Sequence, residues 1–206
     1  MIEQRSPAWF AQRLGFLTAS RMSEALSKGT GVTRDKYKMQ LISERVTGQS
    51  EKSFSNEYME YGTQQEKFAL MRYECDTGCI VDEAEFYTHP TIKWLGASPD
   101  GLLRDANGLI KALVEIKCRK TENHLEFFLN PKIPSKYIIQ MQTQMWVTGA
   151  EWCDFVSYDS RVIHKHRQIF ISRVKRDNDI IEKMTIDVEK FLAEIEEVVQ
   201  KLEEIK

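Results

Sequence analysis

From residue 180 onward, Val188, Phe191, Leu192, Ile195, Val198, Val199 and Leu202 recur at intervals of three and four among charged residues. That spacing predicts an amphipathic helix over 180–206 with a single apolar stripe. The N-terminal third also reads as helical. Ser6-Pro7 supplies a cap and a first-turn proline for a helix over 8–12, and Thr18-Ala19-Ser20 caps a second over 21–26. Gly29 and Gly31 mark a loop before a third helix over 34–46, and a longer helix is predicted over 56–77. After Gly78 the period shortens. Residues 80–87, 94–97 and 109–118 are β-branched or aromatic runs separated by turn signals, which predicts strands. Asp105-Ala106-Asn107-Gly108 is a turn that makes a hairpin of its flanks. Helices follow over 122–129 and 135–148, then strands over 153–158 and 164–171. The order predicts one α/β domain over 1–206: helices over 1–77, a sheet core over 78–172 and a final helix over about 176–206.

Composition narrows the class. A 206-residue chain with 42% hydrophobic and 29% charged residues is that of an ordinary globular protein able to bury a core. No apolar stretch follows the first five residues, so no signal peptide is read, and no run approaches the roughly 20 apolar residues of a membrane helix. A cytoplasmic protein with no membrane partner is expected. Cys75, Cys79, Cys118 and Cys153 show no zinc spacing and are expected to be reduced. The net charge of -2 points to no polyanion, although contact with phosphates depends on the local field. Two basic stretches, 117–120 and 161–167, are candidates; either alone reads as solvated surface charge.

The chemistry lies in Ser98-Pro99-Asp100-Gly101, followed by Leu113-Val114-Glu115-Ile116-Lys117. Residues two apart on a strand share a face, so Glu115 and Lys117 project together, opposite Val114 and Ile116. Two carboxylates can hold a hard divalent cation, and an ammonium beside them can position a water. An E-x-K triplet alone means little; an aspartate in an upstream P-D-G turn and apolar flanks make it the PD-(D/E)xK nuclease pattern. On the 56–77 helix, Glu66 shares its face with Gly62, Ala69, Leu70 and Tyr73. A carboxylate in such a stripe is either answered by an arginine or tyrosine or bound to metal. Gln140 and Gln144 are four apart on one helix face, while Gln142 points elsewhere. They belong either to an ordinary amphipathic helix or to a site that holds water or phosphate.

Five motifs in register carry a resemblance. They are Trp9…Arg13-Leu14-Gly15…Thr18-Ala19-Ser20, Tyr61-Gly62-Thr63…Glu66, Ser98-Pro99-Asp100-Gly101-Leu102, Glu115-Ile116-Lys117-Cys118 and Tyr137…Gln140-Met141-Gln142…Met145-Trp146-Val147-Thr148. Together they resemble the lambda-exonuclease, or YqaJ-like viral recombinase, family of phage enzymes. The resemblance implies a restriction-endonuclease-like PD-(D/E)xK core, a central mixed β-sheet flanked by helices. It implies Mg2+, with Mn2+ substituting, held by Asp100, Glu115, Glu66 and the Ile116 carbonyl. Lys117 would orient the attacking water with support from Gln140, and two ions would flank the scissile phosphate. Arg13, Ser20 and Ser98 would bind a 5'-terminal phosphate, and Met59 matches the position of an apolar wedge at the duplex end. The implied partners are double-stranded DNA ends, a phage single-strand annealing protein and two further copies of the chain in a toroidal homotrimer. The expected activity is 5'→3' degradation of the 5'-phosphorylated strand to mononucleotides, leaving a 3' overhang for recombination. The alternatives are a PD-(D/E)xK endonuclease or RecB-like nuclease, and a non-catalytic DNA-binding module.

Overall fold

The computed structural model describes residues 4–27, 32–50 and 57–205, with side chains of the long fourth helix from residue 60 onward. The loop glycines 29 and 31, and the side chain of Met59, lie outside the described residues. Helix α1 (Pro7–Gln12) begins as predicted, with Ser6 accepting the Trp9 N–H. Strand β1 (Leu17–Thr18), a 3-10 turn (Ala19–Arg21) and α2 (Met22–Ala25) replace the single helix expected over 21–26. Thr18 lies in a strand beside Gly96, so the chain leaves extended backbone only after it. Helices α3 (Val32–Thr47) and α4 (Glu57–Thr77) follow.

The expected strand over 80–87 does not form. Only an isolated bridge, Asp82 with Leu102, and the short β2 (Tyr87–Thr88) appear there. Asp82, Glu83 and Glu85 are poor strand formers, and the neighbouring β4 (Gly101–Arg104) is only four residues long. With β3 (Leu95–Ala97), the strands make two sheets in place of one. The first has the order β1-β3-β2. The second has the order β4-β5-β6-β7, with β5 (Ile110–Lys117) antiparallel to β4 and parallel to β6 (Trp152–Tyr158).

The last strand, β7 (Ile169–Lys175), starts and ends later than the expected 164–171. Residues Lys165–Arg167 curl into a 3-10 turn instead. Arg72 donates to the Lys165 carbonyl at 3.2 Å, and the His124 ring lies 2.7 Å from the Arg167 carbonyl. Those carbonyls are thereby taken from the sheet ladder.

The four-stranded sheet is covered on both faces. Leu113, Cys153 and Phe155 face α6 (Ser135–Thr148) and α5 (Thr121–Leu129), where Met141, Met145 and Phe127 meet them. Val114, Ile116 and Val156 face α4 through Ala69 and Tyr73. Each fully buried Leu, Phe or Met contributes about 1.5–3 kcal/mol. Helix α7 (Asn178–Glu204), capped by Asp177, lays Val188, Phe191, Leu192, Ile195 and Val199 against α3 and the small sheet.

A polar clamp joins α7 to α3. Arg34 grips Glu194 through both guanidinium nitrogens at 2.9 Å, and Lys38 adds a contact at 3.1 Å. Arg34, chiefly, pulls the Glu194 carboxyl down to about 2. The folded value lies below the unfolded one, so the clamp stabilises above about pH 4.5 and weakens as pH falls toward 2. Glu194→Gln is therefore expected to cost about 1 kcal/mol at neutral pH, the scale of a half-exposed ion pair. That cost should shrink through the same acid window, as urea unfolding at several pH values will read.

Candidate active site

The alternation of β5 places a charge where an apolar side chain would sit. Ala112, Val114 and Ile116 turn toward α4, so Leu113, Glu115 and Lys117 turn toward α6. Glu115 is only 1% exposed. A bare carboxylate at that depth would cost several kcal/mol, but this one is surrounded by donors. Gln140 donates to its Oε1 and Gln144 to its Oε2, both at 2.6 Å, and Lys117 forms an ion pair with it. The helical spacing of the two glutamines delivers one to each oxygen. Gln142, on another face, instead donates to the Lys175 carbonyl and accepts the Asp177 N–H.

Asp100 enters from the turn between β3 and β4. Its Oδ2 accepts the Ile116 N–H at 2.6 Å, on the part of the β5 edge that β4, starting only at Gly101 opposite Val114, does not cover. Gln4 holds this turn by donating to the Pro99 carbonyl at 2.8 Å and the Ala84 carbonyl at 2.9 Å. Gly101 lets Val81 pack against the backbone: a Cβ there would lie 2.3 Å from the Val81 Cγ1. Burial, then the charge of Glu115, pushes the Asp100 carboxyl well above the usual carboxylate range. Burial works against the charge on Lys117, but Glu115 and Asp100 outweigh it and raise the lysine pKa. One ammonium thus faces two crowded carboxylates.

Glu66 reaches the site from α4, which approaches closely because Gly62 stands where a Cβ would lie 3.3 Å from the Cys118 carbonyl. Its carboxylate is answered by Arg5 at 2.7 Å. Arg5 carries a φ of 66°, a left-handed conformation uncommon outside glycine, at the point where the chain turns into α1. Arg5 and Gln4 are absent from the candidate residues read in the sequence, and Gln144 enters there only as the partner of Gln140 on one helix face. Gln144 had a legible signal in its spacing from Gln140; the other two had none.

The end-binding candidates sit beside this group. Arg13 donates to Ser98 Oγ at 3.1 Å and lies 3.9 Å from the centre of the Trp9 ring. Burial lowers its pKa to about 10, which leaves it charged at neutral pH. Ser20 Oγ is 3.3 Å from Thr18 Oγ1, and the Thr18 N–H donates to the Tyr37 hydroxyl at 3.3 Å. Arg13, Ser20 and Ser98 line one cavity of about 190 Å³ together with Glu66, Asp100, Glu115, Ile116, Lys117 and Gln140. The sequence-selected residues with described side chains therefore all converge.

Among the described residues, no three acidic, histidine or cysteine side chains stand close enough to form a preformed metal cage. Glu66, drawn to Arg5, does not close the expected three-carboxylate set. The donor chemistry nevertheless fits a hard cation. Two desolvated carboxylates carry more negative charge than Lys117 answers, and a cation of the Mg2+ type takes one or two carboxylates, with water and phosphate completing its shell.

A family model of the YqaJ-like viral recombinase domain matches residues 8–151. The chain belongs to that family. An alkaline exonuclease (LHK-Exo) from Laribacter hongkongensis superposes with a TM-score of 0.89 at 43% identity, covering 96% of each chain. The same enzyme in complex with dAMP gives 0.88 at 44%. A phage-related exonuclease from Haemophilus somnus 129PT shares the fold, with a TM-score of 0.68 at 14% identity over 91% of this chain and 96% of the other. An uncharacterized protein (R354) of Acanthamoeba polyphaga mimivirus is 31% identical over 174 residues, 77% of this chain; the match spans 30% of that protein's length. The chain shares with these exonucleases the expected mixed α/β fold. No helix among the described residues is long and apolar enough to cross a membrane.

Proposed function

We propose that this protein is a Mg2+-dependent 5'→3' exonuclease acting on double-stranded DNA ends, with Mn2+ able to replace Mg2+. It degrades the 5'-phosphorylated strand to mononucleotides and leaves a 3' overhang for phage recombination by strand annealing. The observation that carries this reading is the single cavity joining Arg13, Ser20 and Ser98 to Asp100, Glu115 and Lys117. An arginine fork suits a terminal phosphate, with its extra charge, better than an internal one. The Laribacter structure with dAMP supports the reading, because dAMP is the kind of product expected here.

Asp100 and Glu115 would hold the cation, with the Ile116 carbonyl and Glu66 beside them. When bound, the cation supplies Lewis-acid polarisation of the phosphate and of the attacking water. Lys117 Nζ orients that water and offsets charge growing on the phosphate oxygens. Gln140 and Gln144 fix the Glu115 carboxylate so that it does not rotate away from its task. Arg13 and Ser98 seat the 5'-phosphate and set how far the strand enters. A homotrimer, an annealing-protein partner and action in the cytoplasm of a phage host complete the proposal by family likeness.

The test is digestion of a linear duplex phosphorylated at one 5' end, with each strand end-labelled. Mg2+-dependent release of mononucleotides from the phosphorylated end alone, abolished by EDTA, is the expected result. Internal cuts, or indifference to the phosphate, would move the protein to the endonuclease reading, and absence of cleavage to the binding module. On the same substrate, Gln144→Ala is expected to lower turnover at least tenfold with little change in KM, as loss of an orienting contact does. Gln142→Ala should leave turnover near wild type, because its contacts lie at the end of β7.

A further inference from the structure

The two basic stretches seen in the sequence meet in space. Arg161 donates to the Arg119 carbonyl at 3.0 Å, across 42 residues of chain. Between them lies a second cavity, of about 510 Å³, lined by Tyr61, Arg119, Lys120, Asn123 and Arg161 among others. It shares Arg5, Glu66, Ile116 and Lys117 with the catalytic cavity, so those four residues form the waist between the two. Five basic side chains and one acidic one line it, in a chain whose net charge is -2.

The walls are held rigidly. Arg161 grips Asp159 through Nε at 2.8 Å and Nη2 at 2.9 Å, and Asp159, fully buried, also accepts the Thr121 hydroxyl at 2.6 Å. The Arg161 guanidinium lies 4.7 Å from the centre of the Tyr61 ring. Gln168 donates to the Ser160 and Val162 carbonyls, closing the base of the loop that carries Arg161. The Arg167 carbonyl can only accept, so His124 Nε2 carries the proton there, and Nδ1 is left to accept from Ser157 at 2.8 Å. The wall that carries Arg161 is thus preformed and needs little ordering to meet a strand.

We infer that this groove holds the sugar–phosphate backbone of the cut strand on the 3' side of the scissile phosphate, with Arg119 and Lys120 as its phosphate contacts. The inference rests on the exonuclease reading above. With the 5'-phosphate at Arg13 and the scissile bond at Lys117, the strand must continue past the shared waist, and the basic groove opens there. No base-reading geometry is needed, since charge on the backbone is independent of sequence. Arg119 and Lys120 are positioning residues; they do not touch the reacting atoms.

The experiment compares Arg119→Ser/Lys120→Ser, and Lys120→Ser alone, with wild type on 5'-phosphorylated linear duplex across a salt series. Lys36→Ser/Lys183→Ser, at two exposed lysines away from the groove, removes the same charge. The double groove variant is expected to raise KM about tenfold and to flatten the slope of log KM against log salt by about 1.5, two contacts' worth. The single variant should show about half that slope change, and the control none. Unchanged KM and slope in both groove variants would overturn the groove while leaving the exonuclease standing. An equal shift in the control would also overturn it, by assigning the effect to net charge. Failure of the wild-type protein to digest the duplex would remove the exonuclease reading itself, and the groove with it.

Discussion

Asp100→Asn is expected to make the metal-free protein more stable while abolishing hydrolysis. The asparagine side-chain oxygen can still accept the Ile116 N–H that Asp100 Oδ2 takes at 2.6 Å, so the turn before β4 keeps its anchor. What disappears is a charge that burial and Glu115 both disfavour. Relief of that repulsion is expected to be worth about 1–2 kcal/mol, or roughly 2–8 °C in Tm for a chain of this size. Differential scanning fluorimetry in EDTA would show it. With Mg2+ added, wild type should gain stability by mass action and the variant should not. Turnover on phosphorylated duplex should fall by at least about a thousandfold, the scale of a lost electrostatic element in a preorganised site. A variant that is destabilised in EDTA, or that still responds to Mg2+, would remove Asp100 from the metal set.

The trade between stability and function explains which parts of the site were legible in the sequence. Glu115 and Lys117 stand out because they break an apolar strand at positions of one parity, and the fold puts them on one face. Gln140 and Gln144 are legible as a pair by helical spacing, and Gln142 as an outsider. Their task was not legible: it depends on how α6 lies across β5, which periodicity within either element does not specify. Arg5 pairs with Glu66 across 61 residues, and Gln4 reaches Pro99 across 95, distances at which sequence pattern is silent.

The fold shows the same division. Helices long enough to complete several turns were placed within about two residues, as α6 and α7 show. Of the small sheet only its central strand, β3, is legible, over 94–97; β1 and β2 are not, because two-residue strands have no measurable period. The start of β7 was misjudged because the chain at 164–167 is bound by Arg72 and His124, from outside its own stretch. Family likeness supplied what the pattern lacked: Arg13, Ser20 and Ser98 are unremarkable as sequence, yet they open onto the same cavity as Asp100 and Glu115.

Lys117→Ala should separate chemistry from metal binding, with a stability change of opposite sign to that of Asp100→Asn. Removing the ammonium leaves Glu115 with its two glutamine donors and leaves Asp100 beside it, two carboxylates without their shared cation. Breaking a fully buried pair costs about 3–5 kcal/mol; the Lys117 side chain is 22% exposed, so about 2 kcal/mol is expected in EDTA. Mg2+ should restore more stability to this variant than to wild type, because the ion then answers charge that nothing else does. Isothermal titration with Mg2+ or Ca2+ should show affinity retained or increased. Turnover should nonetheless drop by about a thousandfold, since the water loses its orienting group and the phosphate its nearby positive charge. Near-normal turnover would take Lys117 out of the catalytic set. Loss of Mg2+ binding would instead show that Lys117 organises the carboxylates, and the assignment of a water-orienting role would fail.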